Sequence, residues 1–297
     1  MMIENKRFVK AMQSLCCMAK KALTIFLLLF PALLVMAPLL VLLSGALMDT
    51  WELGRYLGDV FTDGEAFIKW KWIPDYPSFA NYKKLLFETP QFFVLFWNSV
   101  KLTGCILAGQ LLMAVPAAWG FAVYPVRGSK ELFALYVVLM LMPFQVTMLS
   151  SYLVLNRLSL LNTHGAIILP AVFSTFPIFV SYEGFRAIPS QMLEAARMDG
   201  ASEMTIFVRL GLPLGKSGLL SAMVLGFLEY WNLMEQPMAF LEEKALWPLS
   251  LYLPEITWGQ AGFAFCASVF TLTPAVFVFV LGQDYLEQGI IYAGLKG

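Results

Sequence analysis

Apolar residues in this chain gather into long unbroken runs, not into the three- or two-residue rhythms of amphipathic helices and half-buried strands. The first run covers residues 22–47, and five more cover about 93–124, 132–155, 166–182, 214–234 and 262–281. Runs of this length can cross roughly 30 Å of hydrocarbon at about 1.5 Å per residue, so each predicts a transmembrane helix. Pro31 and Pro38 should kink the first, because each removes a backbone hydrogen bond. Pro116, Pro143, Pro170, Pro177 and Pro274 fall in the later runs, where neighbouring helices or cavity water can satisfy the freed carbonyls. The pattern divides the chain into an N-terminal segment 1–21, a first span 22–47 and a polar loop 48–92. A five-helix core 93–285 follows, interrupted by a polar stretch at 186–213, and a tail 286–297 ends it.

The loop 48–92 mixes Asp49, Glu52, Asp59, Asp63, Glu65 and Asp75 with Lys69, Lys71, Lys83 and Lys84. Ser78 can cap a short helix that runs to about Glu88, and Pro90 closes the segment. Trp70, Trp72 and Trp97 suit a membrane–water interface. Both an interfacial loop with a surface helix and a partner-docking site fit this composition.

Composition agrees with the runs: 59% of residues are hydrophobic and 13% charged, against about 45–50% and about 25% in soluble domains. Twenty basic and twenty acidic residues balance, so net charge points to neither nucleic acid nor an acidic partner. Placement is more informative. Lys6, Arg7, Lys10, Lys20 and Lys21 precede the first span, and with that end inside, Arg127, Lys130, Arg186, Arg197, Arg209 and Lys216 also fall inside. The short outer loops hold only Arg157 and Lys244, so both termini and the stretch 186–213 are expected in the cytoplasm. Cys105 and Cys266 lie within apolar runs and Cys16-Cys17 beside the first one. With no C-x-x-C pair they read as buried small hydrophobes, and no metal site is expected.

The most specific pattern lies in the polar stretch 188–213, IPSQMLEAARMDGASEMTIFVRLGLP. Ser190 can cap a helix that runs through Met198, and Asp199-Gly200 provides its stop. Ser202 can cap a second helix that Gly211 and Pro213 end. Leu193, Ala196 and Gly200 fall at i, i+3 and i+7, one face whose small side chains would let a partner approach closely, while Glu194 and Asp199 supply anionic edges. Glu194-Ala195-Ala196, then Gly200, then Leu212-Pro213 resembles the EAA loop of permease subunits of bacterial ABC importers.

The resemblance extends over nearly the whole chain. Asn81-Tyr82, Asn98-Ser99, Arg127-Gly128, Met142-Pro143, Asn162-Thr163-His164-Gly165, Ile168-Leu169-Pro170, Trp231-Asn232 and the ending Gly294-Leu295-Lys296-Gly297 are similar to the maltose-type carbohydrate permeases. Leu233, where an acidic residue often stands, and Glu229 within the fifth span depart from that pattern. The resemblance implies an all-α integral membrane protein of type I ABC importer architecture, with six transmembrane helices and a cytoplasmic EAA coupling helix. It implies a bacterial cytoplasmic-membrane location and a non-catalytic role. Its expected partners are two ABC ATPase subunits that carry ATP and Mg, a second homologous permease subunit and an extracytoplasmic solute-binding protein. Glu194, Ala195, Ala196, Asp199, Gly200, Leu212 and Pro213 would then meet the ATPase, and the tail residues Gly294, Lys296 and Gly297 could reach it as well.

Other chemistry is thin. Gly215-Lys216-Ser217 resembles the end of a phosphate loop, but the first Gly of that motif would stand at position 210, which is Leu. His164, the one histidine, has no Cys or second His nearby and reads as a residue at the start of a helix. An ionisable group inside a span costs about 2.5–3.5 kcal/mol on insertion scales. Glu229 therefore has two readings: it lines a sugar pathway with Tyr230, Trp231 and Asn232, or it sits hydrated near the outer interface. A self-sufficient ion-coupled sugar transporter is the alternative function. It would need further carboxylates or histidines in the spans and an internal duplication.

Overall fold

The computed structural model describes residues 2–61, 70–124, 127–251 and 260–294. The expected ATPase-contacting residues Lys296 and Gly297 lie outside them. The described chain is helical, and its residues group into two units, 1–84 with 254–269 and 85–253 with 270–297.

In the first unit, α1 (Met2–Leu47) passes unbroken through Pro31 and Pro38. The N-terminal segment and first span are thus one helix, and its stretch Lys20–Leu47 is apolar enough to cross a membrane. Large apolar side chains from Met18 to Leu43 are exposed with no polar face among them, as suits a helix in hydrocarbon. Burial begins at Ser44 and Ala46. Here the Ala46 carbonyl accepts from Cys266 Sγ at 3.3 Å, and the Ser44 hydroxyl accepts from Trp70 Nε1 at 3.2 Å. Beyond it, α2 (Thr50–Phe61) carries Glu52, whose carboxylate is buried. Two backbone N–H groups satisfy it, Asp75 at 2.8 Å and Tyr76 at 3.3 Å, which is how a buried charge is tolerated. Ser78 accepts from the Ala80 N–H at the start of α3 (Ala80–Phe87).

The second unit is built on α4 (Pro90–Val123), long enough to reach two separate cores. Near its middle Leu102 and Ile106 pack with Leu155, Ile167, Tyr230 and Phe240; towards its end Ala114, Val115, Ala118 and Trp119 pack with Ile178, Phe185, Leu193, Ile206 and Leu219. Cys105, expected to be buried, is exposed on this helix. Its one-residue offset from the buried Ile106 turns it away from the bundle.

The third apolar run, expected as one span, is two helices. α5 (Ser129–Met140) and α6 (Phe144–Arg157) meet at 100°. Pro143 explains the break: it disfavours helical backbone at Met142 and itself adopts ψ 149°. The fourth run is also divided, into α7 (Gly165–Val172) and α8 (Phe176–Arg186). After α8 come α9 (Ser190–Met198), α10 (Glu203–Ile206), a π-turn over Phe207–Gly211, α11 (Leu212–Leu214) and α12 (Lys216–Trp231). α13 (Glu235–Phe240) and α14 (Ala261–Gly294) complete the order. Among the described residues, four helices are long and apolar enough to cross a membrane, and there are six crossings if each of two bent pairs counts once.

Several residues of the family-like motifs hold one loop. Asn98 Nδ2 donates to the Ala245 and Trp247 carbonyls at 2.7 and 3.0 Å, and Ser99 Oγ accepts from the Leu249 N–H at 2.7 Å. Asn162 Oδ1 accepts from the Glu242 and Glu243 N–H groups, and His164 Nε2 stands 3.1 Å from the Leu246 carbonyl.

α8 and α12 approach closest at Gly184 and Gly218. A Cβ on Gly184 would stand 2.9 Å from the Gly218 Cα, and one on Gly218 would stand 2.8 Å from the Gly184 Cα. Small residues at such crossings let helices associate in lipid, where no hydrophobic drive separates protein from chain. Gly184→Val or Gly218→Val is expected to cost about 1–3 kcal/mol by overpacking, read as a lowered melting temperature in detergent. Gly104→Ala, in open space on α4, should not destabilise and gains about 0.5–1 kcal/mol of helix propensity.

Candidate functional site

The turn at 199–201 gives the polar stretch its shape. α9 starts after Pro189, whose extended backbone (φ −62°, ψ 130°) takes the capping position. Ser190 is the first helical residue and makes no capping bond, so the start differs from the expected one by a residue. At the other end Gly200 adopts φ +79°. Its N–H bonds the Arg197 carbonyl and the Ala201 N–H bonds the Ala196 carbonyl, both at 3.0 Å. This pair of bonds is the Schellman closure, which needs a left-handed residue at its turn. Ser202 then caps α10 by accepting from the Thr205 N–H at 3.3 Å. Within the π-turn the Leu212 N–H reaches back to Phe207, and Pro213 follows, offering no N–H to Arg209.

The faces of α9 correct one expectation. Leu193 is buried and Ala196 partly buried against the cluster of Trp119, Phe185 and Ile206, so this face packs on the chain's own core. A leucine one turn from an alanine finds more apolar surface there, where Trp119 meets Phe185 edge to face at 5.2 Å and Phe207 at 5.5 Å. Gly200 is required for its backbone angle; nothing lies within 4 Å of a Cβ built on it. Outward stand Glu194, Ala195, Asp199 and Met198, the last 89% exposed. Pro213 is exposed, Leu212 half-buried.

A polar network, which the sequence reading missed, closes the corner between α9 and α10. Arg197 donates from Nε to Glu203 Oε1 at 2.8 Å and from a terminal nitrogen to Oε2 at 3.3 Å. Tyr124, just after α4, donates to the same Oε2 at 2.6 Å. The Arg197 hydrogen bond, then that of Tyr124, holds the Glu203 carboxyl below its ordinary range; the Glu203 hydrogen bond raises Arg197 and Tyr124. The only local signal was an arginine six residues before a glutamate, and Tyr124 is distant in sequence.

A second feature lies where the helices break. A cavity of about 490 Å³ is lined by Met142 and Phe144 beside Pro143, by Phe173, Ser174 and Thr175 between α7 and α8, and by Glu229 and Tyr230 of α12. Glu229 is exposed to it. Tyr230 is buried, and its hydroxyl accepts from Gln110 Nε2 at 2.9 Å. The same nitrogen donates to the Ala171 carbonyl at 2.8 Å, and Gln110 Oε1 has no hydrogen-bond partner among the described residues. Of the four suggested pathway residues, only Glu229 and Tyr230 reach this space. Trp231 is buried elsewhere, donating to the Thr271 carbonyl and stacked on Phe227 at 5.5 Å, and Asn232 bonds the Leu228 carbonyl at the end of α12. Gly294 is the last residue of α14.

Residues 110–292 match the family described as "Binding-protein-dependent transport system inner membrane component". The arabinooligosaccharides transport system permease protein AraQ of Bacillus subtilis is 29% identical over 279 residues, 93% of this chain and 95% of the relative. The lactose transport system permease protein LacG of Rhizobium radiobacter is 27% identical over 201 residues, 67% of this chain and 74% of the relative. A crystal structure of a bacterial ABC transporter involved in the import of the acidic polysaccharide alginate has a chain of the same fold. That chain superposes with a TM-score of 0.73 at 22% identity, over 89% of this chain and 95% of its own length.

Two outcomes follow from the local geometry. Gly200→Asn, which tolerates the left-handed region, should keep more folded protein than Gly200→Val, with a gap of about 1 kcal/mol or more in thermal stability. Glu203→Gln should speed amide hydrogen exchange over residues 199–205 roughly two- to fivefold. Because the Glu203 carboxyl lies below its ordinary value of 4.5, its stabilisation is complete above that pH. It is lost as pH falls through the lowered value, so acid should loosen the wild type and leave Glu203→Gln unchanged.

Proposed function

This chain belongs to the family of binding-protein-dependent transport system inner membrane components, and on that footing we propose that it is the membrane-spanning subunit of an ATP-driven oligosaccharide importer. It is a multi-pass inner-membrane protein. In the proposed importer two ATPase subunits hold ATP and Mg²⁺, a second homologous permease completes the pathway, and a solute-binding protein delivers sugar from outside. Both termini and the stretch 188–213 lie on the cytoplasmic side, in keeping with the basic residues around them. Hydrolysis occurs on the partner chains, and no catalytic or metal-binding residue is assigned here. Relatives are named for transport of arabinooligosaccharides, of lactose and of polygalacturonan/rhamnogalacturonan, and a solved neighbour for import of acidic alginate.

The observation that carries the reading is the short path from α9 to the cavity. α9 presents Glu194, Ala195, Met198 and Asp199 outward while Leu193 anchors its back to Trp119 and Phe185. The chain then runs through α10, the π-turn and α11 directly into α12, whose far end places Glu229 and Tyr230 in the cavity. From Lys216 to Glu229 is about 20 Å of helix. An ATPase that grips α9 when it binds ATP would thus act on the wall of the sugar space, opening it outward and then inward in turn.

The test is co-purification with candidate ATPase and permease partners, followed by uptake into vesicles. ATP-dependent uptake that requires all partners is expected. Charge reversal by Glu194→Arg should lower uptake about tenfold or more by opposing a basic groove on the ATPase. Uptake by this chain alone, driven by an ion gradient, would establish the secondary transporter instead.

A further inference from the structure

The importer reading leaves the charge of the saccharide open, and the cavity bears on it. Among its lining residues Glu229 is the one carboxylic acid, and no Lys, Arg or His of this chain lines the cavity. The other polar lining groups are Thr147, Ser151, Ser174, Thr175, Tyr230 and Gln236, all uncharged hydroxyls or amide. No ion pair is formed by Glu229 among the described residues. The Tyr230 hydroxyl is engaged by Gln110, and the Gln110 nitrogen is shared with Ala171, so neither supplies a cation's worth of compensation.

Resting on that reading, we infer that Glu229 sets the charge selectivity of the pathway: the cavity takes neutral saccharides and rejects uronic acids. The carboxylate accepts hydrogen bonds from sugar hydroxyls, which a neutral sugar supplies in number. A uronate would instead bring a second carboxylate into a cavity of about 490 Å³, where charges closer than a Debye length of about 8 Å are poorly screened and repulsion is worth about tenfold or more in affinity. A pathway built for acidic sugar would place arginine or lysine at this wall, since bidentate cations are what recognise carboxylates.

The test uses the assembled importer in nanodiscs without its solute-binding protein, so that delivery does not decide the result. Equilibrium binding is measured for galactobiose, digalacturonate and the dimethyl ester of digalacturonate, which share one skeleton and differ in charge. Wild type should prefer galactobiose over digalacturonate about tenfold or more, and the ester should bind like galactobiose. Glu229→Gln should bring the two sugars within about threefold by gaining digalacturonate. The ester comparison reads the same interaction without a variant, should Glu229→Gln fail to assemble. Equal or tighter wild-type binding of digalacturonate, or an ester no better than the acid, would overturn the assignment. If none of the three binds while the complex assembles and hydrolyses ATP, the saccharide reading fails with it.

Discussion

A single amide nitrogen on α4 joins the parts of the second unit that transport would have to move. Gln110 Nε2 reaches the Ala171 carbonyl at the end of α7 and the Tyr230 hydroxyl on α12. Hydrocarbon offers no partner to a carbonyl freed by a broken helix, so a break is tolerable only where protein or cavity water meets it. The break after α7 has Gln110, and the cavity lies against that break and the one at Pro143. The polar wall of the cavity and the irregular backbone are therefore two results of one requirement. Proline and short α7 interrupt the spans, and the interruption creates the only kind of membrane interior in which an acidic side chain can remain exposed.

The polar stretch 188–213 is held by a different means. Its apolar back is fixed by aromatic packing on Trp119 and Phe185, its turn by the left-handed Gly200, and its corner by Arg197, Glu203 and Tyr124. Trp119 and Tyr124 stand at and just after the end of α4, whose middle borders the first core. The same helix thus braces the outward-facing α9 and the cavity wall. A lever needs a stiff arm, and here stiffness comes from packing more than from surface charge, since exposed ion pairs contribute little by themselves.

Much of this was legible in the amino-acid order. Unbroken apolar runs mark helices in lipid because nothing else buries so much hydrocarbon continuously, and the EAA, Gly200 and Leu212-Pro213 spacing located α9 through α11. Other features depend on residues far apart. The inward turn of Leu193 and Ala196 follows from Trp119 and Phe185, and a small-residue face looks the same whether it meets a partner or its own core. Hydropathy averages over Pro143, so it returned one unbroken helix where backbone sterics make two. Trp231 and Asn232 entered the pathway list as neighbours of Glu229, yet successive helical residues point about 100° apart. Glu203 was overlooked because Tyr124, which completes its network, is contributed by another helix.

The glycine crossing of α8 and α12 has a mechanical meaning. Interlocked side chains at a helix crossing act as gear teeth, and turning one helix against the other requires them to climb out of their grooves. Gly184 and Gly218 meet backbone to backbone with no teeth between them. The contact is a close pivot, and the interlock lies beside it, where Leu219 packs with Ile178 and Phe185. Any turn of α12 about that pivot would move Glu229 along the cavity wall, so the least bulky contact in the bundle governs the position of its one lining carboxyl group.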